Sequence, residues 1–178
     1  MKSIILNLKL IFLSFSLLWF SACSGTQETE SNPSSTEQAT SEVGGVKKVG
    51  SVVDGYLKLK DALVASNGEE AKEYAIAMME VVDAVAMSDI QQSIKEIAAT
   101  AEIEEQRKAF ETLSIDLYRN LKASNAVEQT LYKQYCPMAF DDQGAFWLSA
   151  QKEIRNPYFG DRMLKCGSVE ETMEASVE

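Results

Sequence analysis

The sequence predicts a mainly α protein: an antiparallel bundle of about four helices, followed by a small irregular C-terminal segment that contains a short β-hairpin. Three observations lead there. Apolar residues recur every three or four positions between Val52 and Leu121, the period of helices with one buried face. Breaking and capping residues interrupt that pattern at short intervals, and amphipathic helices with short connections pack as an antiparallel bundle. After Asn125 the pattern changes to alternation and turn dipeptides, the chemistry of strands and loops.

The first helix carries Val52, Val53, Tyr56, Leu57, Leu59, Leu63 and Val64 on a broad apolar face. Ser66-Asn67-Gly68 breaks it, and either Ser66 with Glu69 or Asn67 with Glu70 can cap the next helix. That second helix shows Ala71, Tyr74, Ala75, Met78, Val81, Val82 and Val85 at helical spacing. Ser88…Gln91 suits a capping box opening a third helix through Ile90, Ile94, Ile97 and Ala98. A longer fourth helix runs from about Glu102 to Ala123, with Ile103, Phe110, Leu113, Leu117 and Leu121 on one side. Met78, Met79 and Met87 are read as core filler, because a flexible thioether fills gaps between helices.

Beyond Asn125, Thr130–Tyr135 alternates as a short strand, Asp141-Asp142-Gln143-Gly144 is a turn, and Ala145–Leu148 is apolar and aromatic. The turn lacks the alternating acids and distal glutamate of a calcium loop. Asn156-Pro157 marks another turn, since a residue before proline avoids the α region. Phe146, Trp147, Tyr158 and Phe159 are expected to pack this tail on the helices. Arg107 is expected in a structural ion pair, and Arg155 in one with Asp161 or a helix carboxylate.

The N-terminus reads as an export signal. Lys2 and Lys9 precede the apolar stretch Leu10–Phe20, too short to span a bilayer. It ends in Phe20-Ser21-Ala22-Cys23, which resembles the lipobox of bacterial lipoproteins, where the cysteine is lipidated and becomes the first mature residue. Residues 1–22 are thus expected as a lipoprotein signal peptide and Cys23 as the lipidation site. Several acyl chains, at about 0.8 kcal/mol per buried CH₂, anchor a protein durably. Residues 24–45 are rich in Ser, Thr, Glu and Gln with one valine. They cannot bury enough apolar surface to offset chain entropy and read as a disordered tether. Residues 46–174 form the helical domain. The expected address is the bacterial cell envelope, as a lipid-anchored periplasmic or outer-membrane protein.

Loss of residues 1–22 removes two lysines and no acids, taking the net charge from −10 to −12. That acidity argues against nucleic acid and against charge-driven binding to anionic lipid, both of which need a basic face. It leaves the lipid anchor as the link to the membrane.

Chemistry concentrates in the tail. Cys136-Pro137-Met138 and Met163-Leu164-Lys165-Cys166 place two thiol–thioether pairs in mirrored order, and the chain contains no histidine. Soft sulfur ligands suit Cu(I) or Ag(I), and without imidazole a mixed His/Cys zinc site cannot form. Cys136 and Met138 are two apart, on one side of an extended segment. Met163 and Cys166 are three apart, neighbours on a helical turn. A tail folded back on itself can bring Cys136, Met138, Met163 and Cys166 together as a site of two to four sulfurs. Cys136 and Cys166 equally suit a disulfide in an oxidising compartment. Closing that loop stabilises a fold by roughly 3–4 kcal/mol in the chain-entropy account.

Three strings also carry a resemblance: DGYLKLKDALV (54–64), IEEQRKAFETLSIDL (103–117) and YCPMAFDDQGAFWLSAQKEIRNPYFGDRMLKCG (135–167). In this order they resemble the bacterial family known as domain of unknown function 3347, over about residues 50–170. Such domains are common in Bacteroidetes, as stand-alone lipoproteins and fused to periplasmic adaptor subunits of copper/silver efflux pumps. The resemblance implies a metal-handling context, with an efflux-pump adaptor or other envelope protein as partner. Family members often carry histidine in the helical region; this chain has none.

No enzyme is expected. The sequence has no phosphate loop, nucleophile elbow or zinc-protease helix, and without histidine neither Ser nor Cys has its usual base. Two readings remain: a lipoprotein binding Cu(I) or Ag(I) in efflux or buffering, and a non-catalytic interaction module stapled by a Cys136–Cys166 disulfide.

Overall fold

The computed structural model describes residues 51–176. The expected signal segment, Cys23 and the tether lie outside the described residues, as do residues 46–50 of the domain.

Four helices run α1 (Val52–Val64), α2 (Gly68–Met78), α3 (Ser88–Ala98) and α4 (Ile103–Ser124). Ser51 caps α1 by accepting the Asp54 N–H at 3.2 Å. Of the two candidate caps for α2, Asn67 is the one used. Its Oδ1 accepts the Glu70 N–H, and its Nδ2 donates to the Glu70 carboxylate, both at 3.2 Å. The first bond satisfies one orphan N–H of the first turn, and the second holds the two side chains together. Asn125, in the left-handed region at φ 51°, terminates α4.

Two local expectations are corrected. α2 stops at Met78 and does not continue to Val85. Asp83 Oδ1 accepts the N–H groups of Val85 and Ala86 at 2.9 and 3.0 Å, a side-chain turn that competes with helix. Val85 is consequently 93% exposed. The Ser88…Gln91 capping box does not form either. Ser88 already lies inside α3, Met87 occupies the cap position, and the Ser88 hydroxyl donates to Asp89 at 3.3 Å.

Consecutive helices pack on one another, α1 on α2, α2 on α3 and α3 on α4. Tyr56 joins α1 to α4: its ring stacks on Phe110 with centroids 4.9 Å apart, and its hydroxyl meets Ser114 Oγ at 2.7 Å. The same hydroxyl accepts the Leu148 N–H at 3.0 Å, which brings the tail into this core. Burial pushes the Tyr56 hydroxyl well above the ordinary tyrosine range, so it stays a neutral donor. Met78 is fully buried, and Met79 and Met87 pack against the core, as gap-filling predicts.

The tail is a three-stranded antiparallel sheet, not only a hairpin. β1 (Leu131–Cys136) lies between β2 (Ala145–Ser149) and β3 (Ser168–Met173). In β1–β2, Gln134 faces Trp147 and Cys136 faces Ala145. In β1–β3, Lys133 faces Glu171 and Gln134 faces Val169, so Glu170 is the extra residue of a bulge. A four-residue helical turn, α5 (Ala139–Asp142), joins β1 to β2, with Phe140 and Asp141 in left-handed conformation. A 3-10 turn, η1 (Gly160–Arg162), precedes β3.

β2 packs on α4, and aromatic rings fill the seam as expected. Phe146 meets Tyr118 edge-on at 5.5 Å, and Tyr158 lies 6.0 Å from Phe110 and 5.9 Å from Trp147. Arg107 clasps the parts together. From α4, 2% exposed, it donates to the Pro157 carbonyl at 2.8 Å, Ser66 Oγ at 3.0 Å and the Leu63 carbonyl at 3.3 Å. It also pairs with Glu104 at 2.8 Å. Arg155 is corrected: it is exposed, and among the described residues Arg162, at 2.9 Å from Glu104, makes the ion pair instead.

Candidate functional site: a thiol pair at the end of the central strand

Cys136 is the last residue of β1 and has no exposed surface. Pairing with Ala145 of β2 fixes its backbone, so its side chain is held from the ladder. Cys166 reaches the same place from the other end of the tail, and the turn at Asn156 is what brings it there.

Asn156 is fully buried and satisfies every polar group it carries. Its N–H donates to the Leu164 carbonyl at 2.8 Å, and its own carbonyl accepts the Gly160 N–H at 3.0 Å. Oδ1 accepts the N–H groups of Tyr158 and Phe159 at 2.8 and 3.3 Å, while Nδ2 donates to the Cys166 carbonyl at 2.9 Å. One side chain therefore shapes the turn and fixes the cysteine that follows it. The Cys166 N–H in turn donates to the Met163 carbonyl at 3.0 Å.

Gly167 then lets the chain pass beside β1. At φ 138° it adopts a conformation that side chains disfavour, and a Cβ there would lie 2.8 Å from the Tyr135 carbonyl oxygen and 3.1 Å from Trp147. Without that close approach β3 could not start opposite Tyr135.

The result is two free thiols, Cys136 Sγ and Cys166 Sγ, 2.9 Å apart although 30 residues separate them in sequence. Cys136 is enclosed, whereas Cys166 is partly exposed. The hydrogen bond to Cys136, then burial, then the Cys136 charge push the Cys166 thiol up to about 11. At neutral pH Cys166 is consequently a protonated thiol, hydrogen-bonded to its neighbour.

Of the four predicted sulfur residues, the structure brings together Cys136 and Cys166. Met138 sits just beyond β1 at 46% exposure, and Met163 is partly buried after η1. The thiols hydrogen-bond to each other. Among the described residues no group of three or more His, Cys, Asp and Glu side chains is arranged for a metal. A cleft of about 390 Å³ between Val52, Val81, Leu117 and Leu121 lies elsewhere, lined by neither cysteine.

Sequence reasoning missed two residues of this site. Asn156 was legible only as a turn signal before proline, and Gly167 only as a glycine after a cysteine. Trp147, expected as packing, also borders the site through Gly167; its Nε1 is buried without a hydrogen-bond partner among the described residues.

Among the described residues no helix is long and apolar enough to cross a membrane. A family model described as "Protein of unknown function (DUF3347)" matches residues 52–129, which spans α1 to α4 and ends before β1 and the thiol pair. No curated protein and no solved structure matches the chain. Over residues 52–129, less than half of its length, the chain is similar to the DUF3347 family of proteins of unknown function.

Proposed function

We propose that this chain is a lipid-anchored protein of the bacterial envelope that binds a soft monovalent ion, Cu(I) or Ag(I), through Cys136 and Cys166. It serves heavy-metal efflux or buffering and performs no catalysis. In this reading Cys23 carries the lipid, the tether spaces the domain from the membrane, and the four helices form an antiparallel bundle that acts as scaffold. An efflux-pump adaptor or another envelope protein receives the ion.

The observation that carries the reading is the meeting of two thiols from opposite ends of the tail, 2.9 Å apart with one of them reachable from solvent. Metal–thiolate bonds of about 2.3 Å allow two sulfurs on one ion to separate further than this. Rotation of the partly exposed Cys166 side chain, on a backbone held by Asn156, supplies that opening more easily than movement of the enclosed Cys136. Metal binding must displace the thiol protons, and the raised Cys166 pKa makes affinity rise steeply with pH. Met138 and Met163 flank the pair in sequence as neutral soft donors that favour Cu(I) over harder ions. The full chain, reduced and in detergent, is titrated with Cu(I) against a chromogenic chelator. Stoichiometric binding that disappears in Cys136→Ser/Cys166→Ser supports the reading; equal binding by both proteins rejects it.

A second reading has its own observation. Burial of Cys136 and a sulfur separation short of what a bridging ion needs favour a Cys136–Cys166 disulfide. The domain is then a non-catalytic interaction module whose tail is stapled. Co-purification of a stoichiometric partner from native membranes tests it, and repeated absence of one counts against it.

A further inference from the structure

We propose that Cys136 and Cys166 form an exchangeable dithiol–disulfide couple of fixed polarity, in which Cys166 reacts with an external disulfide and Cys136 resolves the product. This goes beyond the metal reading and does not depend on it, because the exchange proceeds with no metal present.

The polarity follows from position. Cys166 lies in a loop and is partly exposed, while Cys136 ends the central strand with no exposed surface. An attacking sulfur must approach along the axis of the bond it breaks, so only the reachable thiol meets a bulky reagent. Cys136 needs no such access. Its sulfur already stands 2.9 Å from Cys166 Sγ, and the fixed backbones on both sides make the second step intramolecular.

The steps balance. Deprotonated Cys166 attacks an external disulfide RSSR, forming a Cys166–SR mixed disulfide and expelling RS⁻. Cys136 then gives up its proton and attacks Cys166 Sγ, expelling a second RS⁻. The two protons lost by the cysteines convert both leaving groups to RSH. The net change is one Cys136–Cys166 disulfide formed and one RSSR reduced to two RSH. The reverse, driven by an external dithiol, opens the bond with attack on the exposed Cys166 sulfur. Asn156 holds the Cys166 backbone beside Cys136 in the dithiol form, so closing the bond requires no rebuilding of the turn.

The test uses the full chain in detergent, with Cys23→Ser so that only this pair reacts, and an aromatic disulfide, 5,5′-dithiobis(2-nitrobenzoate), as probe. The otherwise wild-type pair releases two thionitrobenzoates and ends as protein with no adduct, two hydrogens lighter. Cys136→Ser releases one and retains a stable adduct on Cys166. Cys166→Ser reacts at least roughly ten-fold more slowly than Cys136→Ser, because its thiol is enclosed. A readout on the intact pair guards against a misfolded variant. Less than one equivalent of reagent, quenched in acid, leaves its mixed disulfide on Cys166 by peptide mass mapping. First adducts on Cys136, equal rates for the two variants, or an intact pair that ends with two adducts overturn the proposal.

Discussion

Asn156 and Cys166 are joined side chain to main chain, Nδ2 to carbonyl at 2.9 Å, and that bond sets the position of the second thiol. Removing it strands several buried groups at once. Asn156→Ala leaves the Cys166 carbonyl and the Tyr158 and Phe159 N–H groups without their partner. A loss of about 2–4 kcal/mol follows from the cost of unsatisfied buried polar groups. Urea unfolding checks it, with a midpoint that falls at constant slope. Asn156→Asp keeps the acceptor and loses the donor, and is expected to fall between the two. An alanine variant as stable as the parent contradicts the role given to this residue.

Gly167→Ala tests the close approach beside it. The added methyl meets backbone at Tyr135, which cannot move without breaking the β1 ladder. Overpacking together with an unfavourable φ costs roughly 2–3 kcal/mol. Amide hydrogen exchange in β3 should speed up while α2 and α3 stay protected. Uniform acceleration throughout the domain speaks against a local effect.

Arg107 links three parts of the chain through Leu63, Ser66 and Pro157. Arg107→Ala therefore destabilises by about 2–4 kcal/mol, since the bonds come from a charged and buried donor. Arg107→Lys recovers less than half of that, because an ammonium cannot reproduce the planar fork. Full rescue by lysine, read from thermal midpoints, means charge alone matters.

The Cys166 thiol, pushed up to about 11 chiefly by its hydrogen bond with Cys136, gives a pH profile. In the reduced protein its alkylation by iodoacetamide rises with a midpoint far above the ordinary value. Cys136→Ala removes the first cause, and the midpoint drops towards about 8.5. The sign for stability follows from the same shift. A pKa raised by folding contributes stability that is present below the unfolded pKa and lost as pH rises through the folded one. An unchanged alkylation profile in the alanine variant refutes this pairing.

Glu171 behaves oppositely. Hydrogen bonds from Tyr118 at 2.7 Å and Lys122 at 2.9 Å lower its pKa, the Tyr118 bond contributing most. Its stabilisation is present above the unfolded glutamate pKa and lost as pH falls through the lowered one. Lys122 is half exposed and solvent screens the pair, so the effect is modest. Glu171→Gln should flatten the acid side of a thermal-stability profile; a slope equal to the parent's removes Glu171 from the account.

The helices were legible because each needs a core face, and Tyr56, Phe110, Leu113 and Leu117 disclose theirs by spacing alone. All four are buried. β3 was not legible for the complementary reason. Ser168–Met173 reads SVEETM and buries only Met173, so its extended form comes from pairing with β1 and not from any local pattern. The end of α2 misled because Val81, Val82 and Val85 continue the helical period while Asp83 turns the backbone out of it. At the site, residue type and mirrored spacing singled out the two cysteines. Their meeting depends on Asn156 and Gly167, whose partners lie on other segments and leave no trace in local sequence.

X-ray absorption at the copper edge of the reduced, Cu(I)-loaded full chain tests the metal reading most directly. A first shell of sulfur scatterers that is lost in Cys136→Ser/Cys166→Ser is the expected result. A shell of oxygen or nitrogen scatterers, or a sulfur shell that survives the double substitution, contradicts it.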